Sequence, residues 1–175
     1  MGSLLSRSVV MKISNKTQNV ILRKPRTYFE CGSCPKEPQE DLHPDSTATW
    51  HLQGSFPFWG VAGILVYEAE SFTLAIYFSN PIDYNKFSME LGLELSPGKA
   101  HEGSLASTYA RMAKGTYSSS CLDNKFARIT VHESRGIAQL KDGPVKVIAI
   151  MSNATSSLLE VVVEEHWRTE RGNQD

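Results

Sequence analysis

Hydrophobic and polar positions alternate with a period of two along most of this chain, and that period predicts strands. Residues 8–14 (SVVMKIS) and 20–22 read as the strands of a hairpin, turning at Asn15-Lys16-Thr17-Gln18-Asn19. The second strand resumes at Arg26-Thr27-Tyr28-Phe29. Pro25 before it has no ladder donor and marks an edge or a bulge. Residues 30–45 have the composition of a loop. Strands follow at 48–52 (ATWHL), 61–68 (VAGILVYE) and 72–78 (FTLAIYF); the second is apolar almost throughout, as expected when both faces are covered. Residues 54–60 (GSFPFWG) form an aromatic turn between them. Residues 87–95 (FSMELGLEL) alternate strictly, the pattern of a half-exposed strand. Further strands are expected at 126–132 and 137–140, with a closing hairpin of 145–151 and 158–165. The polar residues 166–175 are expected to fray.

One segment breaks the period. In residues 102–114 (EGSLASTYARMAK), Leu105, Tyr109 and Met112 fall at i, i+4 and i+7, and Gly115 can end a helix. That face is expected to pack on a sheet with the tyrosine at its margin. The sum is an all-β sandwich of about ten strands with one flanking helix, in a single domain spanning residues 1–175.

The sharpest local signal is Phe78-Ser79-Asn80-Pro81-Ile82-Asp83-Tyr84-Asn85. Pro81 removes a donor and fixes φ, so the strand before it stops. Asn80 is pushed towards extended geometry, and Asp83 and Asn85 are turn formers. A short aromatic-bearing loop is therefore held at a strand end, a common place for binding.

Composition narrows the function classes. Among 175 residues, 41% are apolar and 21% charged, ordinary for a globular protein. A net charge of −1 gives no electrostatic case for nucleic acid as a partner. No apolar run is long enough to span a bilayer, and the start, MGSLLSR, lacks the apolar core of a secretory signal. A soluble protein is expected, cytoplasmic or exported without a leader. Gly2 with Ser6 fits the short myristoylation pattern. Asn15-Lys-Thr17 and Asn153-Ala-Thr155 are glycosylation sequons that matter only on a secreted route.

Catalytic and metal chemistry find little support. His43, His51, His101, His132 and His166 stand in no metal-ligand spacing, and there is no G-x-S-x-G elbow, P-loop or G-x-G-x-x-G. Cys31-Gly-Ser-Cys34 is a lone CxxC followed by Pro35 and Pro38 where a redox site would start a helix. A zinc site would need two more ligands, with Cys121, His43 and His51 as candidates. The three cysteines read as reduced turn residues. No enzyme, no cofactor and no metal is expected.

The order of features resembles one family. SVVMKISNKT is similar to the first strand and turn of the actinoporins, the sea-anemone cytolysins, and of their leaderless vertebrate relatives. Tyr28-Phe29-Glu30-Cys31-Gly32 resembles their Tyr-Phe-x-Ser-Gly, and residues 60–67 (GVAGILVY) their Gly-x-Val-Gly-Val-Leu-x-Tyr. Residues 74–85 (LAIYFSNPIDYN) come close to L-A-[IV]-x-F-S-x-P-x-D-Y-N, the most specific match. The similarity runs over roughly residues 8–166. It implies a β-sandwich flanked by two helices, one of them an N-terminal membrane-inserting helix, and a shallow site for the phosphocholine head of sphingomyelin. Fungal fruit-body lectins share that fold, so a glycan is the other implied ligand.

Carried over residue by residue, the resemblance implies headgroup contacts from Ser79, Pro81, Phe87, Tyr109, Cys31 and Ala62. Phe87 stands for a tyrosine, Cys31 for a serine and Ala62 for a valine. Leu105 and Ala110 replace two helix tyrosines, so much of the aromatic cage is expected to be missing. Lys86 replaces a tryptophan, and Glu90 and Leu91 replace a tryptophan pair, although tryptophan is the residue that anchors proteins at lipid interfaces. Residues 1–7 precede the first strand. As a helix they would reach about 10 Å against a hydrocarbon core of about 30 Å, so the inserting helix is expected to be missing. Two readings stand. One is a non-enzymatic module that binds a membrane lipid headgroup (sphingomyelin-like) or a glycan. The other is a cytolysin that forms homo-oligomeric, cation-permeable pores in choline-lipid membranes.

Overall fold

The computed structural model describes residues 6–55, 60–98, 104–115 and 125–166. Ten strands and one helix run in the order β1 (Ser8–Lys16), β2 (Arg23–Cys31), β3 (Thr47–Gln53), β4 (Val61–Glu68), β5 (Phe72–Asn80), β6 (Glu90–Pro97), α1 (Leu105–Lys114), β7 (Lys125–Thr130), β8 (Arg135–Asp142), β9 (Val145–Ser152) and β10 (Ser156–Glu165). They form two five-stranded sheets, β3-β1-β10-β9-β8 and β2-β4-β5-β6-β7. The all-β sandwich with one helix is thus present. The aromatic turn at 56–59, the start of the expected helix at 102–103, His101, Cys121 and the tail at 167–175 lie outside the described residues.

The core lies between the sheets, where alternate residues of each strand meet. Met11, Ile13, Val147, Met151, Leu159 and Val161 of the first sheet face Leu65, Leu74, Ile76, Phe78, Leu91 and Leu93 of the second, all fully buried. Buried Trp50 donates its indole N–H to the Tyr67 hydroxyl at 3.3 Å, which satisfies the one polar atom of that ring.

The expected first hairpin does not form. β1 pairs with β3 and, in parallel, with β10, whereas β2 belongs to the opposite sheet. The reason lies in Asn15, which is fully buried. Its amide donates to the carbonyls of Val20 and Leu42, and its oxygen accepts from both the amide and the hydroxyl of Thr17. This turn carries the chain across the sandwich, and Leu22 bridges Leu42 instead of β1. The same burial removes Asn15 as a glycan acceptor in the folded protein, while Asn153 is exposed. Pro25 sits as its chemistry requires, on the edge strand β2 and beside a register shift between Arg23 and Arg26.

A second departure concerns β6. Its alternation suggested a half-exposed strand, yet residues 91–96 are all buried. Helix α1 covers the outer face of the second sheet, where Met112 packs on Ile64, Val66, Ala75 and Tyr77. Glu94, fully buried, accepts a two-pronged hydrogen bond from Arg111 of α1, at 3.1 and 2.6 Å. The polar side of the alternation therefore meets a helix and not water. Gly115, with φ 66°, closes α1 and returns its N–H to the Arg111 carbonyl, as the glycine after Lys114 predicted.

Candidate functional site

Pairing in the second sheet sets side chains of its outer face in rows. Cys31 of β2 stands beside Ala62 of β4, Ala62 beside Ser79 of β5, and Ser79 beside Glu90 of β6. The adjacent row reads Tyr28, Ile64, Tyr77 and Gly92. Gly92 leaves the space that Tyr77 fills, since a Cβ there would lie 3.2 Å from the Tyr77 ring. Tyr109 reaches down from α1 onto this second row, its ring centroid 5.5 Å from that of Tyr28 and 5.7 Å from that of Tyr77.

Four of the six expected headgroup residues, Cys31, Ala62, Ser79 and Tyr109, therefore gather at one end of this face. Two tyrosines that sequence reasoning left among the strand residues, Tyr28 and Tyr77, complete a three-ring cluster with Tyr109. A signal for one was present: Tyr77 lies two positions before Ser79 and so shares its face. Two of the three rings come from strands and one from the helix.

Two carboxylates flank the rings. Glu30 accepts from the Tyr28 hydroxyl at 3.1 Å. Glu90 is close enough to Tyr77 to interact with it electrostatically and lies 3.5 Å from Arg128. Burial pushes the Tyr109 hydroxyl up to about 12, helped by Glu30 and Cys31, and burial pushes Tyr77 up further. The hydrogen bond to Glu30 raises Tyr28, and burial raises the Cys31 thiol. At neutral pH the cluster thus presents neutral phenols, a neutral thiol and two nearby acids. Such a site attracts a cation through ring faces and carboxylates together. Every resolved shift in a phenol or thiol is upward, away from nucleophile chemistry. Among the described residues no group of three or more His, Cys, Asp or Glu is placed to hold a metal. Cys31 sits in the row beside Ala62, whereas Cys34 packs against the central core, so the two thiols serve different environments.

Burial also raises the Glu90 carboxyl, against the pull of Arg128 and Tyr77. A folded pKa above the unfolded value means the charged form costs stability at neutral pH, and the cost fades as pH falls through that pKa. Glu90→Gln is therefore expected to leave the melting temperature at pH 7 unchanged or slightly raised. A marked fall on thermal melting would show that the Arg128 pair outweighs burial.

Pro81 and Phe87 lie on the loop leaving β5. Pro81 is buried, and Phe87 is 64% exposed. The loop is pinned from the other sheet. Asn80, fully buried, donates its amide to the carbonyls of Ser8, Ala154 and Thr155 at 3.1–3.2 Å and accepts from the Tyr84 hydroxyl at 2.8 Å. Arg7 donates to the carbonyls of Pro81 and Ile82 and stacks 4.7 Å over the Tyr84 ring. Gly60 lets the loop close, because a Cβ there would stand 2.8 Å from the Pro81 Cα. Phe87 shares with Tyr84 a separate cleft, which has no lining residue in common with the tyrosine cluster. Lys86 is exposed on this loop, whereas Leu91 is buried in the core and only Glu90 of that pair reaches the outer face.

No protein-family model matches the chain, and no curated protein matches it in sequence. Among solved structures, the crystal structure of the lipid binding protein Nakanori superposes with a TM-score of 0.65 at 14% identity, covering 90% of this chain and 70% of that one. At that identity the likeness shows the fold. Among the described residues no helix is long and apolar enough to cross a membrane.

Proposed function

We propose that this chain is a non-enzymatic lipid-binding protein of actinoporin-like build, and that its ligand is a choline headgroup of the sphingomyelin kind. The observation that carries the reading is the Tyr28–Tyr77–Tyr109 cluster beside Glu30 and Glu90. A quaternary ammonium has no N–H to donate, so ring faces and nearby carboxylates are the groups that recognise it. Ser79, in the row beside Ala62, supplies a hydroxyl suited to a headgroup phosphate oxygen. The fold likeness to a lipid binding protein points the same way. Of the six residues implied by resemblance, the proposal rests on Tyr109, Ser79, Cys31 and Ala62.

The reading is binding without perforation. Lys86 and Glu90 stand where the resembling family has tryptophans, and Glu90 faces the tyrosine cluster, so these two positions supply no aromatic anchor. The full chain should bind sphingomyelin vesicles and release no trapped dye; rapid leakage would favour the pore-forming reading instead.

Tyr109→Ala should weaken vesicle binding about tenfold, roughly 1–2 kcal/mol, while Tyr109→Phe, which keeps the ring, should bind nearly as wild type. Sedimentation with vesicles measures both. Equal affinity for Tyr109→Ala and wild type would remove the cluster from the proposal.

A further inference from the structure

A second concave site lies apart from the tyrosine cluster, between the loop after β5 and the turns that join β7 to β8 and β9 to β10. Its volume is about 260 Å³. Clefts for drug-sized ligands run to about 300–1,000 Å³, so this one suits a single ring-sized group and not an acyl chain. Tyr84 and Phe87, 43% and 64% exposed, form its aromatic side.

The Tyr84 ring and the backbone that carries Phe87 are held before any ligand arrives. Tyr84 is fixed through its hydroxyl to Asn80 and by Arg7 over one face, which leaves the other face or edge to offer. The backbone of Phe87 is tied to the Asp83 carbonyl at 3.0 Å. Behind them Met89 and Val131 are joined by a 2.8 Å backbone hydrogen bond and are nearly fully buried, which makes a firm apolar back wall. Ordering costs on binding are correspondingly small.

The polar side has a definite character. Ser88, Thr130 and His132 line it, all exposed, and their side chains bond no other described residue. Asn153 joins them, with only a 3.4 Å contact to the His132 carbonyl. Hydroxyls, an amide and an imidazole can each donate and accept. Among the described residues no Lys, Arg, Asp or Glu lines the cleft. Apart from the His132 imidazole, the described lining holds no ionisable side chain to neutralise a phosphate, a carboxylate or an ammonium. A ligand matching it is neutral, carries several hydroxyls at its rim, and has one apolar C–H face to lay against an aromatic ring, whose negative π-face attracts the slightly positive C–H hydrogens.

We propose that this cleft binds one neutral pyranose residue of a glycan, seated on Phe87 and Tyr84 and hydrogen-bonded by Ser88, Thr130, His132 and Asn153. This site is independent of the choline-headgroup reading, and either can fail alone.

The test titrates the full, isotope-labelled chain with methyl α-glucoside, methyl β-galactoside, methyl α-mannoside and methyl N-acetyl-β-glucosaminide separately, and with phosphocholine, following backbone amides by NMR. At least one sugar should shift the amides of residues 84–89, 130–132 and 153 in a saturable way. Phe87→Ala, which removes an exposed ring and leaves the core intact, should weaken that sugar about tenfold or more. Asn153→Ala should weaken it as well, and Tyr109→Ala should not. If no sugar shifts these amides at saturating millimolar concentration, the proposal is overturned. It is equally overturned if a folded Phe87→Ala binds the sugar as well as wild type, or if phosphocholine and no sugar shifts these amides.

Discussion

Replacing Arg111 by Ala is expected to lower the stability of the folded protein by about 3–5 kcal/mol. Glu94 is fully buried under α1, and the Arg111 fork meets both of its oxygens at 3.1 and 2.6 Å. Ser96 adds a hydroxyl at 3.1 Å, which satisfies the carboxylate further but cannot replace a cation. Removing the guanidinium takes both of its hydrogen bonds from a carboxylate buried between the helix and the sheet, and that loss exceeds any attraction the pair contributes at a surface. For a chain of this length each kcal/mol moves the melting temperature by about 2–4 °C, so a fall of roughly 6–20 °C is expected. The double replacement Glu94→Leu with Arg111→Met removes both charges and should recover most of the loss. A single variant that melts within about 1 °C of wild type would show that water reaches Glu94 and that α1 is loosely held. The effect bears on function because α1 also carries Tyr109, so the ion pair fixes one wall of the tyrosine cluster.

Asn80→Ala is expected to cost about 2–3 kcal/mol, through backbone carbonyls left without their donor. The amide of Asn80 joins the end of β5 to the start of β1 and to the β9–β10 turn, so it is the polar rivet between the two sheets at this end. Asn80→Asp is the sharper variant. An ionised carboxylate donates nothing and would face three carbonyl oxygens, so it should destabilise at least as much as Ala at neutral pH. Denaturant unfolding measures both. The Tyr84 hydroxyl loses its acceptor in Asn80→Ala, so the loop holding Tyr84 and Phe87 should loosen together with the sheet junction. An Asp variant as stable as wild type would contradict the hydrogen-bond assignment, because only an amide nitrogen serves carbonyl oxygens there.

Most strands were legible in the alternation of residues, and α1 was legible in Leu105, Tyr109 and Met112, because each periodicity records which face is buried. Pairing was less legible. The chain shows that residues 8–14 form a strand, but not that its neighbour is β10, some 148 positions on. The burial of Asn15 turns the chain away from β1 after its end, and a polar turn residue gives no sign of being interior. Glu94 misled for a related reason: alternation marks a polar face, and only the three-dimensional position of Arg111 shows that a helix covers it. At the candidate site, Ser79 and Tyr109 were visible as residues, whereas the convergence of Tyr28, Tyr77 and Tyr109 depends on strand register and on where α1 lands. The loop after β5 stood out from Pro81 with Asn80, Asp83 and Asn85. Its anchoring by Asn80 and Arg7 did not, since the groups that bind them lie at distant positions along the chain.

The most direct test of the central claim is sedimentation of the full chain with vesicles, with and without free phosphocholine. Binding to sphingomyelin-containing vesicles that free phosphocholine reverses, with little binding to phosphatidylglycerol vesicles, is the predicted result. Equal binding to both vesicle types, or binding that phosphocholine leaves unchanged, would contradict recognition of a choline headgroup by the tyrosine cluster.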